Sequence, residues 1–188
     1  MLNKYEFKET MKAYEDISHK KKMFITPYVL SDKEYAVTWQ QEQNELKEQN
    51  MSKVSEKYIL IGGDNAIITE KGEAVRSKSE KIIADKLYMK EIPYVYEQPL
   101  YLKGYGYVVP DFKILNVRTK KEYYLEHFGM MDDYEYAKNA IKKIECFQKN
   151  EIYPGEKLLI TLEASDSPLN MITVSYTHLR AHETRSNL

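Results

Sequence analysis

Two carboxylates in the second half of the chain have the type and spacing of a metal site. Asp111 and Glu126 lie in two extended segments that a short polar turn joins. If that turn is centred between Arg118 and Thr119, the two carboxylates face each other on one side of a hairpin, with Cβ atoms about 5 Å apart. Like charges at that spacing repel unless something positive lies between them. The pattern therefore predicts a site for a divalent cation.

Several elements must position these two carboxylates. The segments 108–115 and 122–128 are rich in β-branched, aromatic and aliphatic residues, which predicts two strands. A helix is predicted over 77–90 before them, and another over 132–150 after them. Further short strands are predicted at 58–61, 66–69, 94–97, 100–102 and 157–163. The order helix, three strands, helix, strand is typical of an α/β sandwich whose last strand joins through a crossover.

The N-terminal part differs in composition from the rest. Residues 1–56 are rich in Lys, Glu, Gln and Asn, with sparse apolar positions, which predicts a charged helical extension. One helix is predicted over 2–20, and a second begins at the capping box Ser31–Glu34 and runs to about Ser52. The large apolar residues of this second helix are Tyr35, Val37 and Trp39. Because they cluster near its start, only that end is expected to pack on other elements.

The bulk composition excludes several classes of protein. The chain has 188 residues and a formal net charge of −1, so any nucleic-acid partner would need a local basic patch. A single cysteine, Cys146, excludes a disulfide framework and a cysteine-rich zinc site. The sequence has no secretory signal pattern and no apolar run near about 18 residues. A cytoplasmic location without membrane association is therefore expected.

The last residues have the character of a non-native tail. Most of the segment 174–188 resembles the translated read-through of a sequencing adapter. The native sequence is then expected to stop near Thr173, and the predicted main domain covers 57–173. His178 and His182 are spaced as i and i+4, like a metal-binding pair on a helix. They are excluded from the candidate site because they fall in this tail.

Four short motifs follow one another along the second half. They are Arg76-Ser-Lys-Ser-Glu80, Ile92-Pro-Tyr-Val-Tyr-Glu97, Pro110-Asp111-Phe112 and Glu126-His127-Phe128-Gly129. Over roughly residues 75–167 they resemble the PD-(D/E)XK nuclease superfamily, in particular accessory domains of some superfamily-1 DNA helicases and, more distantly, very-short-patch repair endonucleases. The resemblance implies a restriction-endonuclease-like core of helix, three-stranded antiparallel meander, helix and further strand. It also implies cleavage of DNA phosphodiesters with Mg²⁺ or Mn²⁺.

The same resemblance assigns roles to individual residues. Asp111 and Glu126 become metal ligands, and the backbone carbonyl of His127 completes the oxygen-rich shell that Mg²⁺ prefers. Glu80 reaches the same ion directly or through a water. The ion would polarise the scissile phosphate and lower the pKa of a bound water.

One position departs from the motif. The superfamily expects Glu-x-Lys, and Phe128 stands where the lysine belongs. In the helicase-linked branch a lysine of the following helix substitutes for it, and Lys142 or Lys143 fits that placement. The apolar stripe of that helix is Tyr136, Ala140, Ile144 and Phe147. Lys113 is a third candidate, because it shares a strand face with Asp111. Without such a cation, the charge that develops on the phosphate is poorly stabilised.

Simpler structural roles compete with these assignments for the acidic ligands. Ser77 and Glu80 also form a capping-box pattern, so Glu80 has the alternative of satisfying a helix N-terminus. Asp111 has the alternative of an ordinary edge-strand residue paired with Lys113 or Lys121.

Three other residues are expected to have structural roles. The side chain of His127 alternates to the face of its apolar neighbours, which favours a core or hydrogen-bonded histidine. Glu163 ends a buried strand and is expected only to reach solvent, without a specific partner. Glu97 is expected to pair with Arg76 or Lys78 rather than to bind a metal.

Two functions from different classes remain open from the sequence. The first is a metal-dependent nuclease that acts on DNA, with a homodimer or a helicase-type protein as compatible partners. The second is a catalytically inactive nucleic-acid-binding or interaction module that retains the fold. The position of the replacement lysine distinguishes them, because an enzyme must supply that cation from elsewhere in the chain.

Overall fold

Alternating apolar residues and capped helix starts divide the chain into helices and strands. The computed structural model describes residues 31–54 and 66–169. The helices in these ranges are α1 (Asp32–Met51), α2 (Lys78–Met89) and α3 (Tyr134–Gln148). The strands are β1 (Ile67–Ile68), β2 (Ala74–Val75), β3 (Tyr94–Tyr96), β4 (Leu100–Leu102), β5 (Gly106–Val108), β6 (Phe112–Asn116), β7 (Lys121–Phe128) and β8 (Leu158–Leu162). The fold is mixed α/β.

The candidate site is carried by a four-stranded sheet with the order β3-β6-β7-β8. Strands β3, β6 and β7 pair antiparallel, and β8 then joins β7 in parallel after α3. A parallel neighbour requires a crossover connection, so the prediction of a crossover is confirmed. Two two-stranded sheets, β1-β2 and β4-β5, accompany the main sheet within the described residues.

The register of the central hairpin is the predicted one. Phe112 pairs with Leu125, and Asn116 pairs with Lys121 at the turn. One step beyond the Phe112–Leu125 pair, this register sets Asp111 opposite Glu126. The predicted single strand over 108–115 is wrong, however. It is divided between β5 and β6, because the proline at position 110 has no N–H to donate to a sheet.

The two faces of the main sheet pack against different helices. On one face, Leu125 and Leu159 join a buried cluster with Ile83 and Leu87 of α2. On the other face, the alternate strand residues, represented by Leu158, pack with other apolar residues of α3 and the β4-β5 hairpin. The cluster on the α3 face consists of Leu102, Cys146, Phe147, Ile152 and Leu158. Glu126 alternates with Leu125 along β7, so it belongs to the α3 face.

Helix α1 is capped as its sequence predicts, and it packs further along its length than predicted. At its start, Ser31 Oγ accepts a hydrogen bond from the Glu34 amide at 3.3 Å, and Glu34 Oε2 accepts one from the Ser31 amide at 2.8 Å. The buried residues of α1 are Trp39 and Gln43, whereas Val37 is 53% exposed. Lys47 donates to a backbone carbonyl of β3. The packing thus follows an i, i+4, i+8 stripe of mostly polar residues, which apolar patterning does not reveal.

The compact unit that holds the site begins at Ala36, within the predicted extension 1–56. Three predictions lie outside the described residues: the helix over 2–20, the strand over 58–61 and the tail over 174–188. Within the described residues, no helix is long and apolar enough to cross a membrane.

Candidate metal centre

Glu126 is the most deeply buried carboxylate of the candidate centre. It lies near the end of β7 with 1% of its surface exposed. Its Oε2 atom accepts a hydrogen bond from Lys143 Nζ at 2.7 Å. Its Oε1 atom is also buried and has no hydrogen-bond partner among the described residues. A buried carboxylate oxygen without a donor costs folding free energy, so this atom is an unsatisfied acceptor that a ligand could bind.

Asp111 is positioned by the end of the β6-β7 ladder. Because β6 begins at Phe112, the amide of His127 lies beyond the last ladder pair, and Asp111 Oδ2 accepts its hydrogen bond at 2.7 Å. The carbonyl of Asp111 in turn accepts from the Glu97 amide at 2.9 Å. The alternative pairing with Lys113 or Lys121 is not the contact that holds Asp111. Its carboxylate is instead fixed on the backbone beside Glu126.

Of the three candidate lysines, Lys143 lies at the carboxylates. In addition to Glu126, its Nζ donates to the Val109 carbonyl at 3.1 Å. Lys142 is exposed on the same helix. Lys113 is engaged elsewhere, at 2.9 Å from Gln43 Oε1 and 3.1 Å from a carboxylate oxygen at the far end of β7.

The two carboxyl groups have raised pKa values. Burial is the main cause for Glu126, followed by the charge of Asp111, and together they raise its pKa to about 8 against the opposing pull of Lys143. Burial also dominates at Asp111 and raises its pKa to about 6, while Lys143 and the His127 amide oppose the rise. A coupled pair of this kind shares protons, so near neutral pH the two groups together carry roughly one proton. Raised carboxyl pKa values are typical of functional sites.

Glu80 fulfils the capping role and also approaches the centre. Ser77 Oγ accepts from the Glu80 amide at 3.1 Å, which confirms the helix cap. The Glu80 carboxylate accepts from the Arg76 amide at 2.9 Å and from the Tyr96 hydroxyl at 2.6 Å. Its charge contributes to the raised pKa of Asp111. The structure therefore brings Glu80 within electrostatic range, while its hydrogen bonds go to other groups.

A polar network surrounds the side chain of His127 on the α2 face. Its Nδ1 lies 3.0 Å from Thr161 Oγ1, and its Nε2 lies 3.2 Å from Glu163 Oε2. The Ser79 hydroxyl donates to the same Glu163 oxygen at 2.6 Å. Burial lowers the pKa of His127, which favours its neutral form. The predicted hydrogen-bonded histidine is confirmed, whereas the expectation that Glu163 only reaches solvent is wrong.

Glu97 takes the structural role that the sequence predicts. Both of its carboxylate oxygens accept from Arg76, at 2.5 Å from Nε and 3.2 Å from Nη2. Its backbone has a φ of 49°, in the left-handed region, at the point where the chain leaves β3. The bidentate pair fixes this turn.

The centre offers a hard cation two carboxylate side chains and one backbone oxygen. Among residues 31–54 and 66–169, no three His, Cys, Asp or Glu side chains converge into a metal-binding cluster. The available ligands are the oxygens of Asp111 and Glu126, with the His127 carbonyl as the neighbouring backbone oxygen. Few protein ligands and several waters suit Mg²⁺. The unpartnered Glu126 Oε1 is the atom that such an ion would satisfy.

Comparisons with known proteins add little to this geometry. No protein-family model matches the chain, and no solved structure matches it significantly. One relative is an uncharacterised protein of Methanocaldococcus jannaschii, 35% identical over 92 residues. The matched region covers 49% of this chain but only 8% of that relative. The chain is thus similar to a small part of a much longer protein.

Proposed function

We propose that this chain is a metal-dependent nuclease that hydrolyses DNA phosphodiester bonds on a restriction-endonuclease-like fold. The observation that carries the proposal is the buried Glu126 oxygen without a donor, beside a second carboxylate and one ammonium. A purely structural buried pair would satisfy both oxygens of its carboxylate. The order of helices and strands and the four motifs agree with the proposal.

In this function Asp111 and Glu126 would hold a Mg²⁺ or Mn²⁺ ion. When bound, that ion polarises the phosphate and lowers the pKa of water near the scissile bond. Asp111 keeps a fixed orientation because the His127 amide holds one of its oxygens. Both carboxyl groups must be ionised to bind a cation, so the raised pKa values make binding weaker in acid.

Lys143 supplies the positive charge that the motif lacks at Phe128. Its ammonium is anchored by the Val109 carbonyl as well as by Glu126. A fixed ammonium beside a buried carboxylate would stabilise the negative charge that develops on a phosphate during attack. In this assignment the cation comes from the facing helix α3 rather than from the strand, and it contacts Glu126 directly.

The Lys143–Glu126 contact also favours a second candidate, a catalytically inactive nucleic-acid-binding module. At 2.7 Å the ammonium neutralises Glu126 without any metal. In an inactive module, Lys143 would occupy the place of the metal ion at Glu126 permanently. A measurement of metal binding distinguishes the two functions. Only the nuclease requires a metal ion to bind Glu126 in the presence of Lys143.

Cleavage assays on mixed single-stranded, double-stranded and branched DNA with Mg²⁺ or Mn²⁺ test the proposal. Asp111→Ala and Glu126→Ala should each abolish metal-dependent cleavage and leave the fold intact, because each removes one of two repelling charges. Glu145→Ala, which changes an exposed carboxylate on α3, should cleave as the wild type does. Cleavage that persists in both site variants would refute this centre.

A further inference from the structure

The β4-β5 hairpin, Leu100–Val108, presents aromatic rings on its outer face. Leu100, Leu102 and Val108 point inward and pack against the cluster that contains Phe147 of α3. The alternate residues Tyr101 and Tyr107 are directly opposite each other in the register and therefore point outward. Their rings meet edge to face, with centroids 5.4 Å apart.

The exposed area on this hairpin is large for side chains of this type. Tyr101 is 61% exposed, and Tyr105 at the turn is 45% exposed. Isolated exposed tyrosines are ordinary on protein surfaces. Three tyrosines on one small hairpin, two of them exposed and two in ring contact, form an aromatic surface that the other described residues leave accessible.

Lysines accompany each part of this surface. Lys53 Nζ lies 5.3 Å from the ring centroid of Tyr107, and Lys149 Nζ lies 5.7 Å from that of Tyr105. Lys103 is exposed in the turn itself, and the sequence between Glu97 and Asp111 contains no acidic residue. The whole chain has a formal net charge of −1, so these three lysines concentrate positive charge locally, with Glu145 of α3 as a carboxylate near Lys149.

The hairpin is held rigidly and leads into the metal centre. Asn150, just beyond α3, accepts from the Lys103 amide at 2.7 Å and donates to the Cys146 carbonyl at 3.0 Å. This contact ties the turn to the end of α3. At the other end, β5 leads directly into Val109, whose carbonyl binds Lys143. The aromatic surface and the catalytic ammonium therefore share two rigid elements.

We propose that the β4-β5 hairpin binds single-stranded nucleic acid, with bases stacked on Tyr101 and Tyr105 and phosphates beside Lys53, Lys103 and Lys149. Aromatic rings with interleaved cations bind single strands because each base offers a π-face and each nucleotide a phosphate. Paired bases in a duplex cannot offer their faces to such a surface. The inference rests on the proposed nuclease function and names its substrate class as a single strand or an unpaired end.

The test is fluorescence anisotropy of a labelled oligothymidine of about 12 nucleotides, within the site size of such surfaces. The full chain is used in EDTA, so binding is measured without cleavage. Tyr101→Ala should weaken binding by about 5- to 100-fold, the usual effect of one stacked base. Tyr101→Phe should bind nearly as the wild type does. Tyr88 on α2, which is 49% exposed, provides the matched control, and Tyr88→Ala should leave binding unchanged.

A second probe separates stacking from charge. An abasic oligonucleotide of the same length carries the phosphates without the bases. Tyr101→Ala should bind this probe as the wild type does. Lys149→Ala should lower the affinity for both probes and reduce the salt dependence of that affinity.

The proposal is overturned if oligothymidine does not bind, if Tyr101→Ala binds it as tightly as the wild type, or if an acidic peptide competes better than the oligonucleotide. Normal tyrosine-dependent binding without cleavage in Mg²⁺ or Mn²⁺ would uphold this surface and refute the nuclease function alone.

Discussion

Two buried glutamates, Glu97 and Glu126, differ in how completely their carboxylate oxygens are paired. Glu97 gives both oxygens to the guanidinium of Arg76. Glu126 gives one oxygen to Lys143, and its other oxygen is buried without a donor beside Asp111. Because both Glu97 oxygens are bound by Arg76, this pair has no free acceptor, and its role is to hold the turn after β3. The incomplete pair retains an acceptor and a neighbouring like charge, which is the condition for binding a cation.

The largest effect is expected from replacing Lys143, the lysine that pairs with Glu126. Lys143→Met should lower metal-dependent cleavage by about 100- to 1,000-fold, the usual loss when one electrostatic donor to a developing charge is removed. Lys142→Met removes the adjacent exposed lysine and should cleave at the wild-type rate. Single-turnover cleavage rates of the two variants measure the difference. Equal rates would move the catalytic cation away from α3.

Stability should respond in the opposite way at the two glutamates. Glu97→Gln should lower the free energy of unfolding by about 1–3 kcal/mol, because it leaves Arg76 without its charged partner. Glu126→Gln should leave stability unchanged or raise it by about 1 kcal/mol at pH 8, because relief of the repulsion from Asp111 offsets the loss of the ion pair with Lys143. Urea unfolding in EDTA measures both values. A larger loss in Glu126→Gln than in Glu97→Gln would make Glu126 the structural residue.

The pH dependence of stability should follow the raised pKa of Glu126. Because that pKa rises from 4.5 to about 8 on folding, the native state retains a proton that the unfolded chain releases. The resulting stabilisation is complete below about pH 4.5 and is lost as the pH rises towards 8. The metal-free protein should therefore lose more than about 1 kcal/mol between pH 5 and pH 8. In Glu126→Gln this loss should be clearly smaller; identical slopes in the two proteins would contradict the assignment.

The smallest effect is expected at Lys113, which connects α1 to the hairpin. Lys113→Met should cost about 1 kcal/mol of stability, because it removes a hydrogen bond to Gln43 and an ion pair with Glu122. Cleavage by this variant should match that of the wild type. A strong loss of cleavage with normal stability would return Lys113 to the list of catalytic candidates.

The sequence was sufficient for the parts of the site that depend on local pattern. The turn of the central hairpin and the alternation of apolar residues set the register, and the observed pairs agree with it. The same pattern misled at residues 108–115, where Pro110 ends one sheet before another begins. The choice of Lys143 over Lys142 was accessible in principle, because Lys143 lies three residues after Ala140 and four before Phe147 on the apolar side of α3.

Other parts of the site depend on contacts that no local pattern encodes. Thr161 meets His127 only once the parallel register of β7 and β8 is known. Glu163 meets Ser79 because the end of β8 lies beside the start of α2, and 84 residues separate the two in sequence. The polar stripe of α1 was missed for a related reason: its contacts at Gln43 and Lys47 are hydrogen bonds rather than apolar packing.

A titration of Mn²⁺ into the wild type, Glu126→Gln and Glu97→Gln, followed by calorimetry and melting temperature at pH 8, decides whether the incomplete pair is a metal centre. The wild type and Glu97→Gln should show saturable binding and a metal-induced rise in melting temperature, because the ion binds the native state. Glu126→Gln should show neither. Equal binding and equal melting shifts in the wild type and Glu126→Gln would contradict a metal centre at Asp111 and Glu126.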